Sequence, residues 1–103
     1  EITKGTPIHN NPKKALKDAD FVYVKNWSSY KKYGQILSED TNWMMTKDKL
    51  GDAKFMHCLP VRRNFVVEDA VLDSEQSVVI QEANNRTYSA QIILKKILES
   101  IDK

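Results

Sequence analysis

One cysteine, three glycines, three prolines and two histidines are spread over 103 residues, and each scarcity rules something out. Cys58 has no partner for an internal disulfide, so the chain reads as suited to a reducing, cytoplasmic setting rather than as a disulfide-stapled scaffold. His9 and His57, without paired cysteines, give no metal-ligand spacing. A glycine-rich phosphate loop and a G-x-S-x-G elbow are both missing, and no metal or other cofactor is implied. No apolar run approaches the roughly 20 residues that span a bilayer, and no signal-peptide pattern is visible. An excess of one charge is missing too. Sixteen basic residues against 14 acidic ones leave +2, too even to imply nucleic acid or an anionic membrane as partner. The triplets Asn26-Trp27-Ser28 and Asn85-Arg86-Thr87 match a glycosylation pattern common by chance and carry no weight.

What is present is the composition of an ordinary globular domain, 41% hydrophobic and 29% charged. A chain of this length supports one modest core. Residues 1–8, around Gly5 and Pro7, read as a short extended piece or loop. Asn10 and Asn11 before Pro12 signal a helix start, and residues 13–19 read as a short helix. The run Phe21-Val22-Tyr23-Val24 predicts a buried strand. Residues 28–43 are polar and aromatic without a period, a loop with room for a short helix within 33–37. A capped turn is expected from Thr46 to Gly51, a second strand over 54–58 and a helical turn over 68–72. Ser77-Val78-Val79-Ile80 reads as a third strand, and a helix is expected over 84–101, where Ile93, Ile97 and Ile101 recur every four residues. Apolar strands alternating with helical segments predict an α/β fold: a partial doubly wound parallel sheet of three to four strands, flanking helices and a long C-terminal helix. The broad apolar face of that helix exceeds what so thin a sheet covers, which suggests a piece of a larger protein. A small complete domain whose fourth strand lies in residues 1–8 is the alternative.

Ligands of open α/β sheets bind beyond the carboxyl ends of the strands, and the polar residues gather there. His57-Cys58-Leu59-Pro60-Val61-Arg62-Arg63-Asn64 follows the second strand and holds an imidazole, a thiol and two guanidinium groups. Its plain alternative is a buried small apolar cysteine beside two solvated arginines. Lys25-Asn26-Trp27 follows the first strand. Glu82-Ala83-Asn84-Asn85-Arg86 is expected to open the long helix, where free N–H groups and Arg86 would suit an anion or a carbonyl oxygen; pairing of Glu82 with Arg86 is the competing reading. Three strand ends carrying polar or basic residues imply a crevice for an anionic small molecule. The aromatics Tyr23, Trp27, Tyr30, Tyr33 and Trp43 are read as loop packing rather than base stacking.

His57-Cys58-Leu59-Pro60 at a strand end, followed by Glu82-Ala83-Asn84-Asn85-Arg86, resembles the aspartate/ornithine carbamoyltransferase family over essentially the whole chain. The resemblance places residues 1–103 in the C-terminal part of the second, ornithine-binding domain, with the carbamoyl-phosphate-binding domain outside them. It implies that Cys58, Leu59 and Arg86 line the carbamoyl phosphate pocket and that His57 and Arg86 serve the carbonyl oxygen. It also implies a cis Leu59-Pro60 bond, a homotrimeric full-length enzyme, and a terminal helix whose apolar face packs on the other domain. Ornithine enzymes of the family place an aspartate near the position of Lys25 and a Ser-Met-Gly loop after the tryptophan. This sequence has Lys25-Asn26-Trp27-Ser28-Ser29-Tyr30. Lysine repels the α-ammonium of free ornithine and suits an acylated, anionic one. Lys25 and the first arginine, Arg62, thus resemble the acylornithine contacts of the N-acylornithine branch. Members acting on N-acetylornithine tend to carry a lysine two places after Arg-Arg-Asn. Here Phe65-Val66 stands instead, which resembles the succinylornithine side of the branch. The implied activity is carbamoyl transfer from carbamoyl phosphate to the δ-amine of N-succinylornithine in arginine biosynthesis, with N-acetylornithine as the alternative substrate. A free-standing binding module for an anionic metabolite, or a structural domain with a chance cluster of polar groups, would need no such chemistry.

Overall fold

The structure, a computed structural model, describes residues 4–28, 31, 32, 35 and 41–102. Apart from Gln35, the residues of the short helix expected within 33–37, and the Ser29-Tyr30 pair, lie outside the described residues. Helix α1 spans Pro12–Leu16. The Asn11 side chain accepts from Lys13 N at 2.9 Å, and proline occupies the first turn, where its missing N–H costs nothing. The helix stops short of residue 19 because Asp18 takes φ +59°, a left-handed conformation that no helix continues through.

Strands β1 (Phe21–Val24) and β2 (Lys54–His57) pair in parallel, with Val22 opposite Phe55 and Val24 opposite His57. Between them lie a 3₁₀ turn, Thr41–Trp43, and helix α2, Lys47–Leu50. Thr46 caps α2 by accepting from Lys49 N at 3.3 Å, and Gly51 ends it at φ +59°, ψ −131°, a conformation that favours glycine. Helix α3, Asp69–Leu72, follows β2 and buries Val71 and Leu72. The core gathers Val22, Met45, Leu50, Phe55, Val67, Val71, Leu72 and Val79. β1 is not covered on both faces, for Phe21 and Tyr23 are exposed.

The fold is the expected mixture of helices and parallel strands, but among the described residues the sheet has two strands rather than three to four. Residues 4–8 form turn and coil. The expected third strand reduces to one bridge, in which Phe55 N donates to Gln76 O at 2.9 Å and Phe55 O accepts from Val78 N at 3.0 Å. Helix α4 then begins at once and runs Val79–Ile101. β-branched residues at 78–80 favour a strand only weakly; burying Val79 against the core from the first helical turn overrides that preference. From Ala83 onward every described residue is exposed, including Ile97 at 51% and Ile101 at 71%. The apolar face of α4 is therefore uncovered, as its width suggested. The Cα radius of gyration, 16.9 Å, reflects this outlying helix; a compact domain of this length has about 13 Å.

Candidate functional site

Parallel pairing brings the exits of β1 and β2 to one edge, with Val24 beside His57 as the last matched pair. The loops beyond them enclose a crevice of ≈ 250 Å³. Lys25, Asn26, Trp27 and Ser28 line one side, and Cys58 and Arg62, with Gln35, complete it. That space suits a small metabolite rather than a dinucleotide. Among the described residues its lining holds two cations and no carboxylate.

Neighbouring arginines part ways at this edge. Arg63 points to α3 and donates to Asp69 Oδ1 at 2.6 Å and Asp73 Oδ1 at 2.9 Å. Those bonds raise the Arg63 pKa and hold the carboxyls of Asp69 and Asp73 below their ordinary range. Arg62 faces the crevice, and its Nη1 is buried without a hydrogen-bond partner among the described residues. A buried guanidinium N–H left unpaired is costly, so this atom is poised for an acceptor. Asn64, at φ +54°, pins the turn by accepting from Asp69 N at 3.0 Å and donating to Asp69 Oδ2 at 2.8 Å. Val66 is fully buried, and its N–H donates to Arg62 O at 3.0 Å. Trp27 and Phe65 pack with ring centroids 5.1 Å apart beside the crevice.

His57 is 1% exposed, and its backbone N–H and both ring nitrogens have hydrogen-bond partners. Its N–H donates to Glu82 Oε2 at 3.0 Å, tying α4 to the end of β2. Nδ1 accepts from Leu59 N at 2.8 Å, which leaves the ring proton on Nε2, 3.2 Å from Asn26 Oδ1. Burial lowers the His57 pKa, and the charge of Glu82 opposes that shift. The Leu59-Pro60 bond is cis, as expected. Leu59, at φ +54°, is held in a left-handed conformation by its bond to the ring. The Tyr23 hydroxyl meets the Cys58 thiol, and that bond, with desolvation, raises the phenol pKa.

Lys25, Cys58 and Arg62 thus share one crevice, with His57 and Leu59 packed behind it. Arg86 does not join them. α4 starts at Val79 rather than at residue 84, so Arg86 lies in its third turn and not at a helix N-terminus. The dipole argument that singled Arg86 out fails there, since that field fades within the first turn. Nor does Glu82 pair with Arg86, for its carboxylate goes to His57 N. Arg86 is exposed, about 6 Å along the axis beyond Glu82 by helical rise. The sequence reading missed Asn26, Gln35 and Tyr23. An amide two residues past a strand was a usable signal for Asn26; Gln35 gave none.

Among the described residues no cluster of three or more His, Cys, Asp or Glu could hold a metal ion, and no helix is long and apolar enough to cross a membrane. Comparison with known proteins is specific. The family model of the aspartate/ornithine carbamoyltransferase Asp/Orn binding domain matches residues 2–97. N-succinylornithine carbamoyltransferase of Bacteroides fragilis is 52% identical over 93 residues, 85% of this chain and 29% of that protein. Its namesake from Bacteroides thetaiotaomicron is 49% identical over 94 residues, 86% of this chain and 30% of that protein. Among solved structures, ornithine carbamoyltransferase from Pyrococcus furiosus superposes with a TM-score of 0.69 at 36% identity, covering 81% of this chain and 29% of that one. A mutant N-acetyl-L-ornithine transcarbamylase complexed with carbamyl phosphate and N-succinyl-L-norvaline gives 0.62 at 34% identity, covering 75% and 26%. The chain spans just under a third of the length of the curated relatives it matches.

Proposed function

The chain belongs to the aspartate/ornithine carbamoyltransferase family, and on that premise we propose that it forms the amino-substrate side of an active site that carbamoylates N-succinylornithine. In this reading residues 1–103 are the C-terminal part of the ornithine-binding domain, and the carbamoyl-phosphate-binding domain belongs to the rest of a longer chain. The observation that carries it is the crevice, where, among the described residues, Lys25 and Arg62 converge with no acidic residue in the lining and Arg62 Nη1 is buried without a partner. N-succinylornithine brings two carboxylates and no α-ammonium, so two cations suit it. Free ornithine would set its α-ammonium against them. A buried valine at position 66, where a lysine would have to bury its charge, and the names of the relatives at 49% and 52% identity support the succinyl substrate.

The δ-amine, held neutral, attacks the carbonyl carbon of carbamoyl phosphate. A C–N bond forms, the C–O bond to phosphate breaks, and a proton leaves the amine for the departing phosphate, giving N-succinylcitrulline. Such a displacement needs placement and donors at the developing oxyanion, not a covalent nucleophile. We assign the Cys58 thiol and the Leu59 carbonyl to the orientation of the amine and the carbamoyl group. We assign His57 Nε2–H to the carbonyl oxygen, its proton shared between Asn26 and the ligand. With it goes Arg86, which lies outside the crevice and would reach that oxygen from α4, one helical turn beyond Glu82. Phosphate is left mainly to the other domain. We place the enzyme in arginine biosynthesis, as a cytoplasmic homotrimer. N-acetylornithine is the second reading, favoured by the likeness to acetylornithine transcarbamylase structures.

The test is steady-state kinetics of the full-length enzyme with carbamoyl phosphate and N-succinylornithine, N-acetylornithine or ornithine. The expected order of kcat/KM is succinyl, then acetyl, then free ornithine. Preference for free ornithine would sink the reading, and preference for the acetyl substrate would replace it by the second.

A further inference from the structure

The two walls of the crevice are joined by one side chain. Asn26 stands on the loop after β1, and its amide reaches across to the loop after β2. Its Nδ2 donates to Pro60 O at 2.9 Å, and its Oδ1 lies 3.2 Å from His57 Nε2. The direction of this amide is internally consistent. A carbonyl oxygen can only accept, so the nitrogen must face Pro60, which leaves the oxygen for the ring. Leu59 N–H occupies Nδ1 from the other side at 2.8 Å. A closed circuit results, from Leu59 N–H to the imidazole, from Nε2–H to Asn26, and from Asn26 back to Pro60. Partners 31 and 34 residues apart in sequence are held together by it.

We propose that Asn26 is a positioning residue without which the Leu59 N–H bond alone does not hold His57 as its Nε2–H tautomer, and that it sets the spacing between the Lys25 wall and the wall formed by residues 58–62. A histidine with one ring nitrogen bound by a backbone N–H and the other by an amide oxygen has a single tautomer and orientation, as required of a group that donates to a reacting oxygen. Without Asn26 the Nε2–H loses its acceptor, the ring is free to turn, and Pro60 O loses its donor. Lys25, which precedes Asn26 directly, would lose its register against Arg62. Glu82 of α4 is the charged group whose field reaches the ring; it bonds the His57 backbone and does not select the tautomer.

The catalytic arm rests on the proposed carbamoyl transfer; the tautomer arm does not. The experiment is ¹⁵N NMR of the ring nitrogens of His57 in the ligand-free full-length protein, with kinetics of Asn26→Leu and Asn26→Asp. Wild type should show Nδ1 bare and Nε2 protonated. Asn26→Leu should give mixed tautomers and a fall in kcat on the order of tenfold to hundredfold, as when a group orienting a direct contact is lost, with a smaller change in KM. Asn26→Asp still accepts from Nε2, so it should keep the tautomer, raise the His57 pKa and recover part of kcat. A wild-type ring protonated on Nδ1, an unchanged tautomer in Asn26→Leu, or an Asp variant no better than Leu would each overturn the proposal. Should Asn26→Leu fail to fold, the wild-type tautomer and the Asp variant decide it. A wild type inactive on all three amino substrates would remove the functional reading and still leave the tautomer to be measured.

Discussion

β2 and α4 each present a clear apolar face in the sequence, and the structure treats them in opposite ways. β2 lies between β1 and residues 76–78, hydrogen-bonded on both sides, and Phe55 is fully buried. α4 meets β2 through its first turn, and its long isoleucine and leucine face remains open to solvent. Periodicity shows which face of an element is apolar, but not whether this stretch of chain supplies the partner. The same lesson recurs at smaller scale in two adjacent arginines. Arg63 is satisfied within the chain, whereas Arg62 Nη1 has no partner among the described residues.

The contrast can be broken most forcefully at β2. Phe55→Ala should lower the unfolding free energy of this chain by about 3–5 kcal/mol, the usual cost of emptying a buried phenylalanine site, measured by denaturant melts. Next comes Arg62→Leu in the full-length enzyme. It should cut kcat/KM for the acylornithine by about tenfold to hundredfold, the scale of one charge-assisted contact, while stability holds or rises because an unpaired buried N–H is gone.

Arg63→Ala should do the reverse, leaving kcat/KM intact and lowering the melting temperature slightly, because exposed ion pairs contribute little. Its pH signature is specific. Asp69 and Asp73 titrate below their ordinary carboxylate value because Arg63 donates to them. Their contribution is fully present above the unfolded carboxylate pKa of about 3.9 and is lost as pH falls through the depressed folded values. The difference in melting temperature between wild type and Arg63→Ala should therefore close as pH drops below about 4. Smallest of all is Ile97→Ala, expected within about ±0.5 kcal/mol of wild type in this chain, as for surface substitutions generally. A large loss there would show that α4 is covered after all.

Locally encoded features were legible. Asn11 before Pro12, Thr46 with Gly51, and the apolar runs of β1 and β2 each specify their conformation within a few residues. The third strand was misread because Val78, Val79 and Ile80 serve two patterns at once, and only contact with Phe55 and the core decides between them. At the site, residue type at a strand end pointed to the segments that hold Lys25, Cys58 and Arg62, which line the crevice. It could not separate Arg62 from Arg63, because the separation comes from two carboxylates brought in by the turn at residues 64–68. Nor could it find the link from Asn26 to His57, which exists only once β1 and β2 are in register. The cue from Arg86 rested on a helix start misplaced by five residues, from Val79 to residue 84.

The central claim is that a cationic crevice selects an anionic, acylated ornithine, and reversing the charge at Lys25 tests it most directly. In full-length Lys25→Asp, the ratio of kcat/KM for N-succinylornithine over that for ornithine should fall on the order of a hundredfold, as a carboxylate set against a carboxylate implies. A ratio left unchanged would contradict the claim.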